Sequence, residues 1–427
     1  FLIKAGAEAN ATNKKGETAL SIAVLRSGGL GIVSALLKAG ASRDTKDAKG
    51  RPLLFSVMEN SKDEGILLEL LRAGFDPNIR DLPDPYADTL LLRAIQKEAG
   101  YPAIKNLLSF GAEAEARNKS GETALMRASR NDEFEKETLT ALLKAGADIK
   151  GRDNKSQTAL HYAASYAYTK AEIYSFLIEA GAEVGARDSR GKTVLHQAAG
   201  ATSYPEVIGL LIKAGADVNA RDEKSTTPLM EAVQNWSKKA DEIVSMIIEA
   251  GAKVNDRDSS ASTAFMYAAS RARSSDIIST LLDAGADPTQ TDGQGRTALM
   301  RAAMGNSRPE IVEALVKAGM DVDARDNDGS TALMYAANLS ENDAVIGARI
   351  KAGAKVNDRD NENCTPLMYA VHNSPGSKAI GLLLDAGADA KARDKKGRSA
   401  TDFAEYNPEI KNTDVYKRLA ETSPRTD

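Results

Sequence analysis

The chain has 427 residues but only one cysteine, one tryptophan and three histidines, and 5% of it is aromatic. The single cysteine, Cys364, excludes an internal disulfide and fits a reducing, intracellular compartment. No apolar run approaches the roughly 20 residues that a membrane-spanning helix needs, so no membrane insertion is expected. There is no basic excess either. The formal net charge is -4 with 27% charged residues, so no nucleic-acid partner is expected. Gly28-Gly29-Leu30-Gly31 is glycine-rich, but it joins two helical patterns and does not follow a strand, so it is not read as a phosphate cradle. Nothing here points to catalysis, to a metal or to a cofactor.

What the chain does have is a repeated landmark, a glycine closing an apolar helix and usually written Ala-Gly-Ala. It recurs at Gly6, Gly40, Gly74, Gly111, Gly146, Gly181, Gly215, Gly251, Gly285, Gly319, Gly353 and Gly387. The spacing is 34 to 37 residues, most often 34. A fixed period of this size means one supersecondary unit stacked many times. Such a stack grows without splitting into globular domains and offers a long surface, not a closed pocket.

One period shows the unit. Asp326-Asn327-Asp328-Gly329 reads as a turn, because Asp closes a local side-chain bond and Gly accepts positive φ. Thr331 then reads as a helix N-cap, with Leu333, Ala336 and Ala337 on one face. A polar turn follows, and a second helix ends at Gly353 with Lys351 in its last turn. The preceding period shows that second helix more cleanly, with Pro309 at its first position and Ile311, Val312, Leu315 and Val316 as the apolar stripe.

A turn, a short helix, a polar turn and a longer apolar helix, with TALHYAA at Thr158, TVLHQAA at Thr193, TPLMEAV at Thr227, TALMRAA at Thr297, TALMYAA at Thr331 and TPLMYAV at Thr365, resemble the ankyrin-repeat family. The segment Gly215 to Asp222 matches as well. The rival 34-residue helical repeat has a W-x2-L-G-x2-Y pattern, which is absent. The resemblance implies an all-α ankyrin-repeat solenoid of helix-turn-helix units with projecting β-turn fingers. Residues 1–6 are expected to end a truncated leading repeat. Residues 7–387 form eleven repeats in one continuous solenoid, and 388–427 form a degenerate capping repeat and polar tail with a helix from about Glu409 to Ala420.

Several residues depart from the family pattern. Its histidine is kept only at His161 and His196; Met126, Met230, Met266, Met300, Met334 and Met368 replace it elsewhere. Both histidines read as structural, since stacked helices about 8–10 Å apart do not let one zinc ion reach both. Cys364 lacks a sequence-adjacent histidine and is not read as a nucleophile. Arg187-Asp188, Arg221-Asp222, Arg257-Asp258, Arg325-Asp326 and Arg393-Asp394 recur at one turn position, which argues for a structural ladder along the turns and against an acid/base pair. Arg349 stands where ten other repeats have Leu or Ile, and the expectation is a slightly rotated helix that lets it reach solvent.

The resemblance implies that turns and first helices line a concave groove, and that the residue after the His/Met position points into it. Those residues are Arg127, Tyr162, Gln197, Glu231, Tyr267, Arg301, Tyr335 and Tyr369. Tyr and Arg dominate interface energetics. The alternative is that the tyrosines pack flat on neighbouring helices. A second candidate surface on the opposite edge comprises Tyr166, Tyr168, Tyr204 and Trp236, from the longest inter-helix turns. A third feature is the extended turn around Pro83, Pro85 and Tyr86, three residues longer than its counterparts and stiffened by proline.

The leading functional expectation is a non-catalytic scaffold that binds a protein or extended peptide in the groove. One alternative is head-to-tail self-association through the N-terminal end, where Phe1-Leu2-Ile3 closes an apolar helix with nothing before it. Another is the targeting arm of a larger enzyme or toxin with its catalytic domain upstream.

Overall fold

In the computed structural model the described residues are 6–25, 29–47, 50–60, 64–81, 84–98, 100–130, 136–305, 308–338, 343–373, 377–411 and 413–422. Among them the chain forms twenty-four helices and no extended strand. Isolated bridges, such as Arg80 with Thr89 and Arg187 with Thr193, mark the feet of the turns. The chain divides into two compact units: Phe1–Ala198 with Gly209–Ala216, and Ala199–Ile208 with Asp217–Asp427.

In the second unit the period around Asp326 is built as its residues dictate. The Gly329 N–H donates to the Asp326 carbonyl at 3.0 Å, and Gly329 has φ 74°. The Met334 N–H donates to Thr331 Oγ1 at 3.4 Å, so Thr331 caps the helix Ala332–Asn338. The helix buries Leu333, Met334, Ala336 and Ala337. Small residues here let the next short helix, Pro366–Asn373, lie close against it. The longer helix Pro309–Lys317 starts on its proline and buries Ile311, Val312 and Leu315, with Val316 half-buried. Each buried Leu or Ile of such a stripe contributes about 1.5–3 kcal/mol of apolar burial.

Successive repeats are joined by polar clamps as well as by packing. Asn255 Nδ2 donates to the Gly285 carbonyl at 2.8 Å, and its Oδ1 accepts the Asp287 N–H at 2.8 Å. Asn219 holds Gly251 and Lys253 in the same way, and Asn357 holds Gly387 and Asp389. In the first unit Asn10 and Asn78 do likewise. The arginine preceding the turn acid adds a second row. Arg80 donates to the Arg117 carbonyl at 2.7 Å, Arg152 to that of Arg187 at 2.8 Å, and Arg359 to that of Arg393 at 3.0 Å. The Arg-Asp recurrence is therefore a ladder between repeats.

Two expectations need correction. Arg349 does not reach solvent: it is 0% exposed and is the largest fully buried side chain. Its guanidinium donates to the carbonyls of Val345 and Leu299, both at 3.1 Å, and Nε has no partner among the described residues. The helix Asp343–Lys351 has not rotated; it keeps Val345, Ile346 and Arg349 inward. Burial lowers the Arg349 pKa to about 10. The C-terminal polar helix also starts later than expected, at Asp414, because Thr413 Oγ1 accepts the Tyr416 N–H. Leu419 and Ile410 seal this end.

Candidate interaction surface

The turn acid organises each surface position. Asp326 Oδ1 accepts the backbone N–H groups of Asp328 and Ser330, at 3.0 and 2.8 Å, which closes the turn. Its Oδ2 then accepts the Tyr335 hydroxyl at 2.6 Å. Asp153 receives Tyr162 at 3.0 Å, Asp258 receives Tyr267 at 2.6 Å, and Asp360 receives Tyr369 at 2.5 Å. The spacing is nine residues in every pair. Burial and the neighbouring carboxylate push these phenols up, Tyr267 to about 12. The four hydroxyls are thus held inside the fold, and the half-buried rings offer faces instead of donors.

Gln197 and Arg301 face their turn acids in the same way. Gln197 Nε2 approaches Asp188 at 3.4 Å, and Arg301 approaches Asp292 at 3.5 Å while lying 5.6 Å from the Tyr267 ring centroid. Glu231 is half-buried against Gly200. Arg127 is the most enclosed. It donates to Asp88, Glu122 and the Leu92 carbonyl through five hydrogen bonds. A guanidinium has five N–H donors, so none remains for a partner. Burial by itself would lower the Arg127 pKa, but its bonds to Glu122 and Asp88 outweigh this and raise it.

Sequence reasoning missed Arg93 in this row. Arg93 pairs with Asp81 at 3.3 Å and with Asp84. It lies twelve residues beyond Asp81, because the long turn inserts three, yet it keeps the same offset from the capping Thr89 as Arg127 keeps from Thr123. Counting from the cap would have found it.

Within the first unit these residues border a cleft of about 530 Å³. Tyr86, Lys119, Ser120, Asn154 and Lys155 come from turns, and Gln96, Arg127, Arg130 and Tyr162 from the short helices and their ends. A smaller cleft of about 200 Å³ shares Gln96, Arg127 and Arg130 and is also lined by Tyr166. Tyr166, expected on a separate edge, therefore lines the same wall as a slot residue. Arg130 caps the end of the helix Ala124–Ser129, and Tyr166 follows the end of the next short helix, Ala159–Ala164, so both stand at the same end of neighbouring helices. Tyr166 and Tyr168 meet edge to face at 5.8 Å.

Tyr86 is 57% exposed and Pro85 is exposed beside it, while Pro83 lies outside the described residues. In the second unit Tyr204 is half-buried, but Trp236 is 68% exposed. Its loop is pinned from beneath. Asn235 Nδ2 donates to the carbonyls of Ala199 and Thr202 at 2.8 and 3.0 Å, and Arg273 donates to the Trp236 carbonyl at 3.1 Å.

The reactive residue types hold structural positions. His161 is buried, with Nδ1 2.9 Å from Thr158 Oγ1, and burial lowers its pKa. His196 stands 2.8 Å from Thr193 Oγ1 in the same arrangement. Burial, with Asp360 and Asp394 adding to it, raises the Cys364 thiol to about 11. No helix among the described residues is long and apolar enough to cross a membrane.

Stacked helix pairs, each begun by a capped turn and clamped to the next, define an all-α repeat solenoid. The family model for ankyrin repeats in three copies matches residues 91–188, 166–258 and 265–347, and that for the single ankyrin repeat matches 15–48 and 362–395. The chain belongs to the ankyrin-repeat family. It is also similar to the crystal structure of the human ASB11 ankyrin repeat domain, with 24% identity and a TM-score of 0.48, over 55% of this chain and 100% of that one. No curated protein matches it.

Proposed function

We propose that the protein is a non-catalytic scaffold that holds a partner protein or extended peptide against its turns and short helices. Ankyrin repeats are in general protein–protein interaction modules. The observation that carries the reading is the row of slot side chains, Tyr162, Tyr267, Tyr335 and Tyr369, each fixed by its own turn aspartate. Rings locked before binding lose little rotamer entropy on contact, which favours affinity. The test is a crosslinked pull-down from the native host with wild type and with Tyr267→Ala/Tyr335→Ala/Tyr369→Ala. A specific protein lost by the variant supports the groove; equal recovery moves the site to Trp236 or to the Tyr86 turn.

A further inference from the structure

We propose that the turn tips from Lys119 to Arg190 bind an extended acidic polypeptide carrying a carboxylate at about every third residue. The proposal rests on the scaffold reading above and adds the chemistry of the partner. The tips in this stretch of the first unit are Lys119-Ser120, Asn154-Lys155 and Ser189-Arg190: three cations, one per repeat, and no acid. Lys119 and Lys155 are exposed, and the Arg190 side chain is 69% exposed, reaching Asp188 only at 3.8 Å.

The row is rigid. The Asn154 N–H donates to the Ser120 carbonyl at 3.0 Å, and the Ser189 N–H to the Lys155 carbonyl at 2.8 Å. Beneath it the carboxylates are engaged. Asp88 and Glu122 hold Arg127, Asp84 holds Arg93, and Asp153 holds Tyr162. Arg130 adds a cation on the facing wall of the cleft. Asp132, Glu133 and Glu135, which follow it, lie outside the described residues, so the assignment rests on the three tip cations. Cations recur at other tips, as at Lys14-Lys15 and Lys395-Lys396, but Glu223, Asp328 and Glu362 put acids at equivalent tips in the second unit, so the stretch stands out for three consecutive cationic tips without an acid.

Spacing selects the partner. Stacked helices repeat every 8–10 Å or so, and an extended chain rises about 3.3 Å per residue. Three residues therefore match one repeat, and carboxylates at i, i+3 and i+6 each meet a cation. A nucleic-acid strand, with a charge about every 3.4 Å, needs a denser basic surface, and the formal net charge of -4 opposes it.

The experiment is fluorescence anisotropy with a synthetic peptide of about twelve residues bearing glutamate at every third position, against a peptide of the same composition with the glutamates contiguous. The expected result is about tenfold tighter binding of the spaced peptide, weakened by salt and lost in Lys119→Glu/Lys155→Glu/Arg190→Glu. These are surface substitutions, and an unchanged thermal melt establishes that the variant is folded. Equal binding of both peptides, unchanged binding by the variant, or tighter binding of a single-stranded oligonucleotide would overturn the proposal. The triple tyrosine variant lies outside this stretch and should keep the peptide. A pull-down partner lost with the tyrosines but kept with the reversed charges leaves the scaffold standing and removes this inference alone.

Discussion

Gly329 and Asn361 fit only as a pair: a Cβ on Gly329 would lie 2.6 Å from Asn361 Oδ1 and 3.0 Å from its backbone nitrogen. The asparagine uses that closeness to donate from Nδ2 to the Asn327 carbonyl at 3.0 Å. Gly121 and Asn154 repeat the relationship, with contacts of 2.5 and 2.7 Å. Elsewhere the same turn position holds Ser156 and Ala261, both at φ 58°, and there the next turn offers Ser189 or Gly293 instead of Asn. Gly329→Ala should therefore cost about 2–4 kcal/mol, combining left-handed backbone strain with overpacking. Gly397→Ala, facing open space, should cost about 1 kcal/mol from the backbone alone. Urea denaturation of both variants checks this; equal losses would refute the pairing.

Arg349 should be replaceable with profit to the fold. The ten equivalent residues are Leu or Ile, and the guanidinium is buried with two carbonyl bonds and no carboxylate partner among the described residues. A pKa lowered to about 10 from 12.5 corresponds to about 3 kcal/mol against the charged form. Arg349→Leu is expected to raise stability by about 1–4 kcal/mol at neutral pH. A lower melting temperature for this variant would show that the two carbonyl bonds outweigh desolvation.

Removing Arg127 should do the reverse. Burial would raise the Asp88 carboxyl pKa, but hydrogen bonds from Arg127 and Asn118 and the charge of Arg127 hold it down. Its stabilisation is present above the unfolded carboxylate pKa of about 4 and is lost as pH falls through the lower folded value. In Arg127→Met, Asp88 and Glu122 keep their charges without a cation, at a cost of about 3–5 kcal/mol. The deficit should be largest at neutral pH and shrink as the pH falls toward about 4.5, where one carboxyl takes up a proton. Denaturation at both pH values reads it out; a deficit independent of pH would mean that lost packing, not charge, sets the cost.

Much of this was legible because the period carries it. Thr331 as a cap, Pro309 at a helix start, the Arg-Asp rows and the structural histidines all follow from local rules repeated along the chain. Arg349 was not legible. Its helix position was clear, but whether the helix rotates depends on Leu299, fifty residues earlier, offering a carbonyl to the guanidinium. The tyrosine slot was visible as a row, yet the bond from each hydroxyl to an aspartate nine residues back is a tertiary fact of how turn and helix fold together. That Tyr166 shares a cleft with Arg127 was not legible, because inter-helix turns have no period from which to place their residues. Arg93 was missed because Leu92, and not His or Met, stands before it, so the mark that located the other slot residues is absent there.

The asparagine clamps bear on how such a chain changes length. Asn219 and Asn255 each reach into the repeat ahead and take one carbonyl and one N–H there. Every repeat offers that same pair of groups, so the hook does not distinguish its neighbour. Excising a segment that runs from one asparagine to the next leaves every hook with a matching eye, and duplicating one adds a hook and an eye together. A cut out of phase leaves hook and eye bonded to water instead of to each other, since these groups are exposed. Whole periods counted from clamp to clamp are thus the lengths by which such a chain can grow or shrink with every clamp still made.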